Sequence, residues 1–285
     1  MKKHNLLQRT IKGENSLPSA KNQITILKLG GSIITEKLNR QPRIRKAVVK
    51  QLAKELKLFI KRFPKTRIIL LHGAGSFGHP LVYRYKLLER PLTGSRLLNF
   101  SETVRSMRQM ANLLTGIFLS SGLPVLPLQA SAVLNEKNSV MFLSNLNQLK
   151  QIIDIGFIPL LGGDMSLIKK NQTAVVSADK LAVLLTKTFP DSRIIFATDV
   201  NGVFNEFPAP DNAKPIALLC RKEIESMLKK MGGQKTRYDI TGAMAGKLRT
   251  MLSLQKKEII IFNGLNPGNL RKALTGEQIG TRLVL

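Results

Sequence analysis

Tryptophan is absent from this chain, and all aromatic residues together make up 5% of it. Any core must therefore be mostly Leu, Ile, Val and Ala. A single cysteine, Cys220, excludes an intramolecular disulfide and argues against a cysteine-based metal site, which fits a reducing, cytoplasmic compartment. Acidic residues are scarce, 18 against 45 Lys and Arg, for a net charge of +27. Long apolar runs are missing too, and none reaches the roughly 18 residues of a membrane span. The opening "MKKHNLLQRTIKGENSLPSAKN" is positively charged but has no sustained apolar stretch. It reads as a polar tail over residues 1–22 and not as a secretory signal.

What is present suffices for a sizeable core. The chain has 285 residues, 43% of them hydrophobic, and residues 23–285 hold the folded part. The positive field attracts anions: nucleic acid, acidic membrane or phosphorylated metabolites. Its densest block, Lys37 to Arg67, holds twelve basic residues and one acidic residue, Glu55. Val49, Leu52, Ala53, Leu56 and Ile60 recur there at helical spacing, and Lys50, Lys54, Lys57 and Lys61 fall on other faces. That periodicity favours a helix with a solvated basic side over a dedicated nucleic-acid surface.

Along the chain, apolar runs alternate with helical patterns. "ITILKL", "RIILLHG", "LPVLPLQ", "GFIPLLGGD", "RIIFATDV" and "EIIIFNG" read as strands, and "GTRLVL" as a short closing edge strand. "SETVRSMRQMANLLTGIFLSSG" reads as a helix capped by Ser101 and ending near Gly122; "SADKLAVLLTKTF" and "TGAMAGKLRTMLSLQKK" are helices as well. Strand, glycine turn and helix in repetition predict an α/β fold with a mostly parallel open sheet sandwiched by helices. Ligands of such sheets sit outside the carboxyl ends of the strands, where these glycine turns fall.

The chemistry-bearing stretches lie at those turns. In "KLGGSIITEK", Lys28 and Lys37 flank Gly30-Gly31, which suits a phosphate cradled by backbone N–H groups, or a tight turn with solvated lysines. In "HGAGSFGHP", Gly73 and Gly75 precede Ser76, a possible cap, and His79 in the first helical turn is either an anion donor or a core residue. His72, at the strand end, reads as a structural histidine. "GGDMS" carries Gly163 and Asp164, and "TDVNGVF" carries Asp199, Asn201 and Gly202, equally a plain Asn-Gly turn. Asp179 heads its helix as a cap or as a holder of lysines, and Lys247 lies on the helix after "DITGAM". G-x-x-x-x-G-K-[ST] does not occur, and "KLGGSIITEK" is not G-x-G-x-x-G either.

Taken in order, "KLGGSIITEK", "HGAGSFGHP", "TDVNGVF", "TGAMAGKL" and "NGLNPGNLRKALTGEQIGTRL" resemble the amino acid kinase superfamily, and within it the isopentenyl phosphate kinases, over Ile24 to Leu285. "GSFGH" is the most specific of these. The resemblance implies ATP with Mg2+ as donor and isopentenyl phosphate as acceptor, in a cytoplasmic homodimer with nucleic acid not a partner. It implies an acceptor lobe over about 23–170 and a nucleotide lobe over about 171–285. Lys28 would contact donor phosphates, Lys37 the transferring phosphoryl group, and Lys247 the ATP phosphates, with Asp179 orienting the lysines. Gly30, Gly31 and Gly75 would allow close backbone approach. Ala74, His79, Gly163 and Asp164 would line the acceptor, His79 on its phosphate, and Asp199 and Gly202 the nucleotide side. Protein side chains would supply few if any metal ligands. The helix near Pro80 and that of Val104 to Leu114 would wall an apolar tail pocket. Ala74, Ala178, Asn201 and Ala243 depart from the residues usual in that pattern, as does Ile168 where an aspartate is common. The implied alternatives are a related kinase for another phosphate or phosphonate, such as fosfomycin, and a non-catalytic anion binder.

Overall fold

The computed structural model describes residues 24–36, 41–89, 92–137, 140–169, 172–206, 213–230 and 243–285. The expected tail over 1–22, Lys37, and the Thr-Gly that opens "TGAMAGKL" lie outside the described residues.

Strand β1 (Ile24–Leu29) leads into the one-turn helix α1 (Gly31–Ile34), and the basic block forms α2 (Lys46–Arg62). Strand β2 (Arg67–His72) is followed by α3 (Gly75–Arg84) and the long α4 (Ser95–Ser120). Then come β3 (Val125–Leu128), α5 (Ala130–Val133), a hairpin of β4 (Leu134–Lys137) and β5 (Val140–Leu143), and α6 (Leu146–Ile155). Strand β6 (Ile158–Gly162) passes into a second hairpin, β7 (Asp164–Lys169) and β8 (Gln172–Val176), then α7 (Ala178–Thr188) and β9 (Arg193–Thr198). The chain closes with β10 (Leu218–Cys220), α8 (Arg221–Lys230), α9 (Ala243–Met251), β11 (Glu258–Asn263), α10 (Asn269–Thr275) and β12 (Thr281–Val284). Among the described residues, no helix is long and apolar enough to cross a membrane.

Eight strands form one sheet in the order β10-β12-β11-β9-β1-β2-β6-β3. The six from β11 to β3 run parallel, β12 is antiparallel to β11, and β10 is parallel to β12. The expected α/β sandwich is therefore present. One strand is placed differently from the sequence expectation: β12 lies between β10 and β11, not at the edge. Strand order is not written locally, so a short last strand looks like an edge from sequence. Strand β3 is an edge, where its Pro127 is tolerated.

The strands are apolar throughout because helices cover both faces. Alternate residues feed two separate cores. Ile26, Ile69, Leu71, Ile194, Phe196 and Ile261 pack with α7 and α9 on one side. Leu27, Leu29, Leu70, Ile195, Ala197 and Phe262 pack with α2, α4 and α10 on the other. In the basic block Val49, Leu52, Ala53 and Leu56 are buried as read, Ile60 is half-buried against the same core, Phe59 is buried as well, and the lysines of α2 are exposed.

The starts of α4 and α7 differ from expectation. Helix α4 begins at Ser95 behind Gly94 (φ 54), so Ser101 lies inside it and does not cap it. Its end is as expected: Gly122 (φ 78) donates its N–H to Leu119 O at 2.8 Å. Ser177 caps α7, accepting from Lys180 N at 3.2 Å, which leaves Asp179 in the first turn for another task.

Glu55, the one acid of the basic block, is buried and points away from its lysine neighbours. Its Oε1 accepts from Gly268 N at 2.8 Å and Gln51 Nε2 at 3.0 Å, and its Oε2 from Arg271 N at 2.9 Å. It thus satisfies the orphan N–H groups that open α10, a helix far along the chain. Glu55→Ala is expected to lower the unfolding free energy by about 2 kcal/mol or more, since two backbone N–H groups opening α10 lose a charged acceptor. Leu58→Ala on the same helix, at a side chain 59% exposed, should change it by less than ~0.5 kcal/mol. Urea unfolding of both variants checks the contrast.

Candidate active site

The parallel strands end together on one edge of the sheet, and the backbone ladder runs one residue past several of them. Gly30 N donates to Ala197 O at 2.9 Å, Gly73 N to Leu29 O at 2.9 Å, Gly163 N to His72 O at 3.0 Å, and Gly264 N to Thr198 O at 2.9 Å. These glycines bring the loops after β1 and β2 into direct backbone contact. A Cβ on Gly31 would overlap Gly75 N and sit 2.6 Å from Gly75 Cα, and one on Gly73 would sit 2.6 Å from Gly31 N. Gly75 itself has φ 49, the left-handed region that favours glycine. No Cβ fits at Gly31 or Gly73, where the two loops meet.

Lys28 points from β1 into the core below α7 and is 7% exposed. Its Nζ lies 3.1 Å from Asp179 Oδ1. Lys247, on α9, reaches the same carboxylate, at 2.9 Å from Oδ2 and 3.2 Å from Oδ1. Both ammonium groups also lie over the ring of Phe196, at 5.8 and 5.2 Å from its centroid. Phe196 is the register partner of Lys28 on the adjacent strand β9. Burial would raise the Asp179 carboxyl, but the charges and hydrogen bonds of Lys28 and Lys247 outweigh it and hold it well below the usual carboxylate range. Burial, helped by the Lys28 charge, lowers the Lys247 ammonium to about 8 against the pull of Asp179. The cluster thus carries two cations to one anion in a dehydrated place, at the end of the strand that opens into Gly30-Gly31.

The other expected residues are distributed as follows. Ala74 precedes α3, and His79 is its fifth residue, half-buried and one turn further in than expected. Ser76 does not cap α3; its backbone N–H donates to Thr35 Oγ1 at 3.1 Å. His72 is 2% exposed, with its pKa lowered to about 4 by burial against a 3.3 Å contact with Gly73 O, so it stays neutral and structural as read. A Cβ on Gly162 would overlap its ring. Asp164 accepts from Met165 N at 2.8 Å and Ser131 N at 3.4 Å; burial raises its pKa, opposed by the Ser131 and Met165 hydrogen bonds and the Arg108 charge. Gly163 passes close to the start of α7, where a Cβ would meet Val176 O at 3.2 Å and Ala178 N at 3.3 Å. Asp199 accepts from Ser32 Oγ at 2.8 Å, tying the turn after β9 to the loop after β1. Gly202 packs against Thr281, whose hydroxyl accepts from Val203 N at 2.7 Å. Asn201 accepts from Asn263 Nδ2 at 3.0 Å.

Thr35, Phe196 and Ser131 were not singled out from sequence. Phe196 and Ser131 carry no local mark, and Thr35 is one polar residue closing an apolar run.

Comparison with known proteins bears on the family and the fold. The model of the amino acid kinase family matches residues 23–263. The isopentenyl phosphate kinase of Methanothermobacter thermautotrophicus is 30% identical, covering 90% of this chain and 98% of that protein. The isopentenyl phosphate kinase of Methanocaldococcus jannaschii is also 30% identical, covering 91% of this chain and 98% of that protein. A solved isopentenyl phosphate kinase structure superposes with a TM-score of 0.75 at 25% identity, over 91% of this chain and all of that one.

The Lys247 ε-amino group should titrate near 8 in the free protein, as followed by nitrogen-15 NMR of labelled lysine. Asp179→Asn removes the group that raises it, so its titration should move to lower pH. The unfolded chain keeps this proton up to its ordinary 10.5, the folded chain only to about 8. This group's contribution to stability therefore grows as pH rises from 8 to 10.5.

Proposed function

The chain belongs to the amino acid kinase family, a phosphotransferase family, and we propose that it moves the γ-phosphoryl group of ATP onto isopentenyl phosphate, giving isopentenyl diphosphate. The observation that carries this reading is the Lys28–Asp179–Lys247 cluster at the strand edge, beside two glycine loops in backbone contact. Such a site is cationic, dry and shaped for phosphate.

The reaction joins two anions, and their repulsion is the main obstacle. The protein's task is positioning and charge neutralisation. An oxygen of the acceptor phosphate bonds to the γ-phosphorus as the bond from that phosphorus to the β–γ bridging oxygen breaks, and ADP leaves with the electron pair. The acceptor oxygen is already anionic, so no strong base is required. Lys28 and Lys247 hold the donor phosphates, Lys37 meets the transferring group, and His79 donates to the acceptor phosphate. Asp179 pairs with the two buried ammonium groups and aims them. Mg2+ would come with the nucleotide and would supply charge neutralisation at its phosphates. Asp179 has both oxygens on lysine ammonium groups and is not a spare metal ligand.

For the isoprenoid tail this reading takes an open hollow of about 300 Å3 on the flank of α4, lined by Phe100, Ser101, Val104, Arg105 and Arg108. Phe100 and Val104 also pack on a small apolar cluster of Val82, Leu87, Leu92 and Met165. An apolar wall beside two guanidinium groups suits a short amphiphilic anion. The same reading gives residues 23–170 to the acceptor and 171–285 to the nucleotide, and takes the protein as a cytoplasmic homodimer.

ADP release from Mg-ATP is expected with isopentenyl phosphate and to be far slower with fosfomycin or uridylate. His79→Ala should lower kcat/KM for isopentenyl phosphate by about 100-fold or more. Faster turnover of another acceptor, or none with isopentenyl phosphate in folded ATP-binding protein, would overturn the assignment.

A further inference from the structure

The two glycine loops must stay in register for a transfer between them, yet glycines supply no side chains to hold them. Thr35 supplies one. It closes α1, is 1% exposed, and lies two residues before Lys37. Its hydroxyl donates to Gly31 O at 2.8 Å and accepts from Ser76 N at 3.1 Å, so a single Oγ1 bonds the loop after β1 and the loop after β2. Both hydrogen-bonding roles of the hydroxyl are therefore in use. The side chain also fills the space that a Cβ on Gly75 would take, with Cγ2 2.8 Å from that point.

Thr35 itself is held from several directions. Its backbone N donates to Gly31 O at 3.0 Å, and its carbonyl accepts from Arg45 Nε at 3.0 Å. It also bridges Ile44 in antiparallel fashion. The hydroxyl is thus a fixed pin between two mobile-by-composition loops, anchored to the start of α2.

Resting on the phosphoryl-transfer reading above, we infer that Thr35 is a positioning residue for the reaction: its hydroxyl sets the spacing between donor and acceptor loops without touching either substrate. Removing the hydroxyl leaves each loop able to bind its own ligand but no longer fixes one against the other. Misplacement of reacting groups by about 1 Å costs on the order of 100-fold in rate. The effect belongs in kcat, not in either binding constant.

The test compares Thr35→Val, which keeps the shape and removes the hydroxyl, with Thr35→Ser, which keeps the hydroxyl. Steady-state kinetics with Mg-ATP and isopentenyl phosphate would be paired with calorimetric binding of each substrate alone. Thr35→Val should lower kcat about 10- to 100-fold, with each dissociation constant within about threefold of wild type. Thr35→Ser should restore kcat to within about threefold of wild type. Wild-type kcat in the folded fraction of Thr35→Val would overturn the inference, as would a Ser variant as slow as Val. Amide hydrogen exchange of Ser76 in the substrate-free protein reads the same contact without activity. It should speed up in Thr35→Val and not in Thr35→Ser, and unchanged exchange in Thr35→Val would overturn the inference. Failure of the wild type to use isopentenyl phosphate would strike the proposed function alone, leaving the exchange experiment to decide on Thr35.

Discussion

Two ammonium groups buried on one carboxylate are the constraint around which this molecule is arranged. Lys28 and Lys247 are each under a tenth exposed, and holding two ammonium groups there needs a counter-charge. Asp179 supplies it, with both oxygens engaged. A buried pair or triad of this kind is poor evidence for stability, because desolvation offsets most of the attraction. Its uncompensated positive charge has a different use: it is an electrostatic demand that an anion can meet. The Phe196 ring beneath both ammonium groups covers them from that side.

The fold supplies the three parts from distant stretches. Lys28 ends a central strand, Asp179 opens the helix laid over that face, and Lys247 comes from the helix packed beside it. The strand edge then turns phosphate recognition over to backbone. Gly31, Gly73 and Gly75 approach so closely that a single methyl group on Gly31 or Gly73 would collide with the neighbouring loop. Ser32 with Asp199, and Thr35 with Ser76, tie these loops to each other and to the turn after β9. Glu55 does comparable work behind them, joining α2 to the start of α10. In each case one oxygen-bearing side chain joins two segments distant in sequence.

Much of this architecture is legible in the sequence, because buried parallel strands are continuous apolar runs and their ends are marked by glycine. The basic helix is legible for the same reason: its apolar period survives under the charge. Two hairpins, β4–β5 and β7–β8, were not read, since their strands are short and mix polar with apolar residues. The place of β12 inside the sheet, and the start of α4 at Gly94 in place of Ser101, depend on tertiary neighbours and on a positive φ that sequence does not display. Asp179 shows where local reading stops. An aspartate in a first helical turn is a cap or an ion-pair partner with equal local logic, and only the arrival of Lys28 and Lys247 decides between them. Thr35 gave no signal, because its two hydrogen bonds are made to backbone atoms.

The most direct test of the central claim is the single-turnover rate of γ-phosphoryl transfer in Asp179→Asn, with ATP and isopentenyl phosphate both saturating and folding verified by thermal melting. If Asp179 pairs with the two buried cations and aims them at the phosphates, transfer should slow by about 100-fold or more. Transfer at the wild-type rate in the folded variant would contradict the account.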